Sequence, residues 1–118
     1  MKESNIIVDK SMNFAVRIVN LYKFLKNNRS EHVLSKQVLR SSTSIGANIR
    51  EANYAQSKAD FNAKMYIAMK EAAETGYWIE FLEKTDYITR KQADSLQTDC
   101  IELIKILTAI TKTVKTTS

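Results

Sequence analysis

His32 and Cys100 are the sole histidine and the sole cysteine of this chain, so chemistry that needs several of either has nothing to build with. A zinc site takes three or four side-chain ligands, mostly Cys and His, and no His-x-x-x-His, Cys-x-x-Cys or Glu-x-x-His spacing occurs. The missing Glu-x-x-His also removes the di-iron bundle pattern, which needs that motif on two helices. Ser41-Ser42-Thr43-Ser44 offers hydroxyls, yet a serine nucleophile needs a base that is itself held by a third group. Glu71 and Glu74 sit one turn apart and paired carboxylates can do acid–base work. Glu80 and Glu83 follow further along, and with Lys70 and Lys84 neighbouring this row of acids, they read instead as a solvated helix face. Gly46 and Gly76 stand alone, so no phosphate-cradling loop is present. His32 reads as a solvated first-turn residue, and Cys100 as a small core residue on an apolar seam. These residues predict no enzyme, no metal and no cofactor.

Charge carries more content. The formal net charge is +5, and it is uneven. Residues 1–58 hold ten Lys and Arg against four acids, whereas residues 59–118 hold eight against nine. A basic half suits a polyanionic partner, nucleic acid first. Lys36, Arg40, Thr43, Ala47 and Arg50 recur at spacings of 4, 3, 4 and 3, opposite an apolar stripe. Lys10, Asn13, Arg17 and Asn20 form a comparable polar line further upstream. Arg17, Lys36, Arg40 and Arg50 are therefore expected to meet phosphates, with Asn48 as a hydrogen-bonding neighbour. Tyr22 and Tyr54 could stack on bases, but read better as core or interface rings.

Four helices position these residues. With no proline and two glycines, long uninterrupted helices are allowed. The first is predicted over about 9–28, with Phe14, Ile18, Leu21 and Leu25 on one face and Asp9 or Ser11 as its cap. The second spans about 31–56 behind Ser30 as N-cap, with Leu34, Val38, Ser42, Ile45, Ile49 and Ala52 inward. The third spans about 58–84 behind the Ser57-Lys58-Ala59-Asp60 box, with Phe61, Met65, Ala68, Ala72, Thr75, Ile79 and Leu82 inward. The fourth spans about 90–115 behind Thr89-Arg90-Lys91-Gln92. Ala93, Leu96, Cys100, Leu103, Leu107, Ile110 and Val114 alternate 3 and 4 along it, and a polar end at 116–118 is expected to fray.

Short loops make neighbours antiparallel. The expected fold is therefore one all-α domain over 1–118, an antiparallel up-down four-helix bundle. No apolar run approaches the about 18 residues of a membrane span, and the three apolar residues Ile6-Ile7-Val8 are too few for a signal core. A lone cysteine fits a reducing compartment. A cytoplasmic protein is expected. Tyr66, Tyr77, Trp78 and Phe81 lie off the main seam of the third helix, and Ile101, Ile104 and Thr108 make a second stripe on the fourth. A bundle needs one stripe per helix, so the surplus predicts a homo-oligomer, with Tyr77, Trp78 and Phe81 at its interface. An irregular bundle that wraps these rings in its own core is the other reading.

The run Leu39-Arg40-Ser41-Ser42-Thr43-Ser44-Ile45-Gly46-Ala47-Asn48-Ile49-Arg50-Glu51-Ala52 resembles the signature of the 23S rRNA intervening-sequence protein family. Asp60-Phe61 and Ala68-Met69-Lys70-Glu71-Ala72-Ala73-Glu74-Thr75-Gly76-Tyr77-Trp78 resemble that family's third helix. These are small bacterial four-helix proteins, some encoded within insertions in 23S rRNA genes and carrying a ribosomal label. The resemblance covers about residues 10–115. It implies an antiparallel bundle assembled as a ring of five, and no enzymatic activity. The similar accessory bundle protein of diversity-generating retroelements binds nucleic acid through a basic surface, which implies RNA or DNA binding here. This chain departs from those accessory proteins in being mildly basic, with an acidic third helix. The alternative is a scaffold that presents its aromatic patch to a partner protein, such as a reverse transcriptase or another enzyme of the same operon.

Overall fold

The computed structural model describes residues 2–117, with side chains described for residues 5–113. Four α-helices follow one another: α1 (Lys2–Asn28), α2 (Leu34–Ala52), α3 (Lys58–Lys84) and α4 (Arg90–Thr117). No strand occurs among the described residues. Each helix packs on its chain neighbours, and α1 closes against α4. The result is an antiparallel bundle measuring 47 × 21 × 18 Å.

The inward stripes are buried almost as their spacing predicts. Phe14, Ile18 and Leu25 of α1, Val38, Ser42, Ile45, Ile49 and Ala52 of α2, and Met65, Ala68, Ala72, Thr75, Ile79 and Leu82 of α3 lie in the core. On α4 the stripe is buried from Ala93 to Ile110. The Val114 side chain and Ser118, the last residue of the expected frayed end, lie outside the described residues. Leu21, Leu34 and Phe61 are half-buried at the rim of the core.

Helix ends depart from expectation where backbone hydrogen bonding overrides pattern. α1 begins at Lys2, not near Asp9, because Ile7 is fully buried and extends the stripe upstream. Ser11 is thus mid-helix and bonds to the Val8 carbonyl at 3.0 Å. Ser30 does not cap α2. It takes a left-handed φ of 53° that ends α1, and α2 starts at Leu34. The cap is Glu31, whose carboxylate accepts the N–H groups of Ser35 at 2.7 Å, Leu34 at 3.1 Å and Val33 at 3.2 Å. At its far end α2 stops at Ala52, not Gln56. There Asn53, Tyr54 and Ala55 turn back onto carbonyls three residues earlier.

The other boundaries follow the sequence signals. Ser57 Oγ accepts the Asp60 N–H at 3.1 Å, while Asp60 reaches back to the Gln56 N–H at 3.2 Å. Thr89 and Gln92 bond each other's N–H groups reciprocally, at 2.8 and 3.1 Å. α3 ends in a Schellman turn. Asp86 is left-handed at φ 65°, the Tyr87 N–H bonds to Leu82 and the Asp86 N–H to Glu83.

The small residues on α2 and α3 serve close packing. Buried Thr75 donates to buried Ser41 across the α2–α3 seam at 2.8 Å. A Cβ added to Gly76 would come within 3.3 Å of Gln97 Oε1 and 3.6 Å of Cys100 Sγ on α4. Cys100 is fully buried and its thiol lies 3.1 Å from the Ala72 carbonyl. Burial pushes its pKa up to about 11, against a hydrogen bond from the Gly76 backbone that lowers it. No helix of the described chain is long and apolar enough to cross a membrane.

Candidate nucleic-acid interface

The basic line of α2 falls on the outer surface, since its members sit one or two residues, about 100–200° of helix rotation, from residues of the Val38–Ile49 stripe. Lys36, Arg40, Thr43, Ala47 and Arg50 are all exposed. Lys36 and Arg50 make no ion pair among the described residues. Arg40 leans over the α2–α3 seam and pairs with Glu71 at 3.1 Å and with Glu74. Glu74 in turn accepts the Trp78 indole N–H at 2.9 Å. Asn48 is half-buried and spends its amide within α2, on the Ser44 carbonyl at 2.8 Å and the Ser44 hydroxyl at 3.1 Å.

The polar line of α1 faces a different neighbour. Arg17 lies over α4, bonding Asp99 at 2.7 Å, Ser95 Oγ at 2.9 Å and the Ser95 carbonyl at 3.3 Å. Lys10 pairs with Glu102 at 3.0 Å. The two lines therefore do not merge into one groove. One runs along the outer face of α2, and the other along the α1–α4 seam.

Glu71 and Glu74 are not a free solvated face. Glu71 retains 18% of its side-chain exposure and serves Arg40. No spacing within one helix reveals this, because the partner sits on another helix at a register set by packing. The sequence reading also passed over Met12 and Val16 on α1, which are 48% and 53% exposed. Their signal was an i, i+4 apolar pair off the main stripe. Met12 borders a shallow groove of about 240 Å³ between α1 and α2, with Gly46 in its lining and Arg50 at its edge.

On α3, Tyr77 is 54% exposed and Phe81 37% exposed, whereas Trp78 is half-buried against the core. The three rings form one cluster, with centroids 5.0 to 6.1 Å apart and tilted or edge-on. Tyr66 shares their outward face at 38% exposure. Tyr54 stands in the α2–α3 connection at 88% exposure, so it is neither a core ring nor shielded. Tyr22 is half-buried with Lys26 Nζ 6.0 Å from its centroid. Exposed His32 and buried Cys100 are far apart in the chain order of the bundle. Among the described residues no three His, Cys, Asp or Glu side chains converge on a metal-sized site.

The sequence matches the family described as 23S rRNA-intervening sequence protein over residues 3–109. It is also similar to a protein of unknown function from the S23 ribosomal protein family of Bacteroides thetaiotaomicron VPI-5482, solved by crystallography. The two are 60% identical, the match covers 93% of this chain and 98% of that one, and the TM-score is 0.92. None of the curated proteins matches.

Proposed function

The chain belongs to the 23S rRNA-intervening sequence protein family, and from that premise we propose a non-enzymatic, homo-oligomeric bundle that binds structured RNA, or nucleic acid generally, through its basic outer face. The observation that carries this reading is the segregation of charge by helix. Residues 5–53 of the α1–α2 half hold eight basic residues against three acids, whereas α3 holds five acids against four bases. A polyanion is drawn to the first half and repelled by α3. The family is not an enzyme family by its description.

Lys36 and Arg50 are the phosphate contacts that need not give up an ion pair to engage. Arg40 and Arg17 have to exchange a carboxylate for a phosphate. The Arg17–Asp99 pair is exposed on both sides, and such pairs are worth only about 0–1 kcal/mol; Arg40 is held harder, because its partners Glu71 and Glu74 are only 18% and 34% exposed. Three phosphate contacts along α2, from Lys36, Arg40 and Arg50, give a salt slope near −2.7, or roughly 40-fold weaker binding between about 50 and 200 mM salt. Assembly multiplies each patch through avidity.

Light scattering on a sizing column tests this directly. A defined oligomer that shifts with a structured RNA at low salt and releases it as salt rises is the expected result. Lys36→Glu with Arg50→Glu should abolish the shift without changing the oligomer. RNA retention that ignores salt, or that survives the double variant, would sink the basic-face mechanism. The exposed Tyr77–Phe81 cluster supports a second reading, a scaffold for a partner protein. In that case the oligomer ignores RNA while a partner's capture depends on Tyr77 and Phe81.

A further inference from the structure

Where α1 runs down beside the start of α4, the seam opens into a groove of about 550 Å³, within the range of small-ligand sites. Its floor is apolar, made by Leu21, Phe24 and Leu96. Phe24 is half-buried, packed on the core beneath and open to the groove above. Its α1 wall carries Arg17 and Asn20, and its α4 wall carries Lys91, Gln92 and Ser95.

Arg17, Ser95 and Gln92 are held in place before any ligand arrives. Asp99 and Ser95 fix the Arg17 guanidinium across the seam with three hydrogen bonds, which leaves two of its five N–H donors. Arg17 and Asp99 cancel, so Lys91 is the groove's uncompensated charge, in the first turn of α4 where the helix dipole adds positive potential. The Gln92 carbonyl oxygen is taken by the Thr89 N–H at 2.8 Å, and its amide N–H₂ remains. Asn20 adds both a donor and an acceptor, and the Ser95 hydroxyl a third polar group. One aromatic surface, amide and hydroxyl groups beside it, and cations at the rim complement a flat ring with a hydrogen-bonding edge and an attached anion. The groove is too small for a duplex.

We propose that this groove takes one unpaired nucleotide, with its base against Phe24 and its phosphate toward Lys91 and Arg17. This deepens the nucleic-acid reading and rests on it for the larger ligand. It selects single-stranded or bulged segments, whereas the α2 face is indifferent to base pairing. Stacking on one ring is worth about 5- to 150-fold in affinity.

The test is an amide-resolved NMR titration of the whole chain with adenosine 5′-monophosphate in the millimolar range, and with inorganic phosphate as the control. Saturable shifts at Asn20–Phe24 and Lys91–Ser95 with the nucleotide, not reproduced by phosphate, are expected. Phe24→Leu keeps the apolar volume and removes the ring, and should weaken the nucleotide at least about 5-fold. Asn20→Ala, on the exposed rim, should weaken it with no risk to the core. Absence of shifts, equal shifts with phosphate, or an unchanged Phe24→Leu titration would each overturn the proposal. Perturbation by an acidic peptide but not by the nucleotide would also overturn it, in favour of a peptide groove. RNA shifted on the sizing column with the groove silent would leave the basic-face reading standing, and nucleotide binding without RNA retention would do the reverse.

Discussion

Glu31 shows how one side chain sets a helix boundary. Its carboxylate is buried, which by itself opposes ionisation. The backbone N–H groups of Ser35, Leu34 and Val33 and the Ser35 hydroxyl outweigh that cost, and they hold the pKa below the ordinary 4.5. A lowered folded-state pKa contributes stability above the unfolded value, and that stability is lost as pH falls through the folded value. Wild-type unfolding free energy should therefore decline below about pH 4.5 by denaturant titration. Glu31→Gln should cost about 0.5–2 kcal/mol at neutral pH and flatten the acid decline. Cys100 makes the opposite case. Its thiol is fully buried and raised to about 11, so it should resist a maleimide reagent at neutral pH until denaturant opens the bundle. Labelling of the native protein at the rate of a free thiol would contradict the burial.

At the scale of elements, the two glycines separate. A methyl at Gly46 would meet Ser11 Oγ at 3.5 Å and Ser11 Cβ at 3.9 Å, ordinary contacts, and the backbone is plain helix. Gly46→Ala should therefore stabilise the chain by about 0.5–1 kcal/mol through helix propensity. A methyl at Gly76 would crowd Gln97 Oε1 at 3.3 Å and strain the Gln97 bond to the Gly76 carbonyl at 2.8 Å. Gly76→Ala should gain less than Gly46→Ala in the same thermal melt, and an equal gain would show that the α3–α4 crossing is not tight. The stripes of α2, α3 and α4 were legible because an apolar face repeats along one chain. The early start of α1 was less so. Ile6-Ile7-Val8 reads as a short apolar run, and only Ile7 continues the stripe.

Charge and aromatic surplus act at the scale of the whole molecule. The basic α1–α2 half lies beside an acidic α3 whose outer face carries Tyr66, Tyr77 and Phe81. If that face is the assembly surface, Tyr77→Arg with Phe81→Glu should yield a monomer by light scattering while far-ultraviolet circular dichroism stays helical. Both side chains are more than a third exposed, so the bundle loses little when they change. An unchanged oligomer would place the interface elsewhere, with exposed Met12 and Val16 of α1 the next residues to alter.

Sequence alone determined the class, the number and order of the helices, most of the core and the family, because each depends on patterns within a single segment. It also placed the α2 line on the outer face, since that follows from helical period. Tertiary structure alone decided which charges are spent. Arg40 meets Glu71 and Glu74, and Arg17 meets Asp99, across seams between helices 31 to 82 residues apart in sequence. The α1–α4 groove has the same origin, since Phe24 and Lys91 come together only when the first and last helices close the bundle. Period fixes the face a side chain takes on its own helix, but only packing sets the rotation and register that decide what it meets.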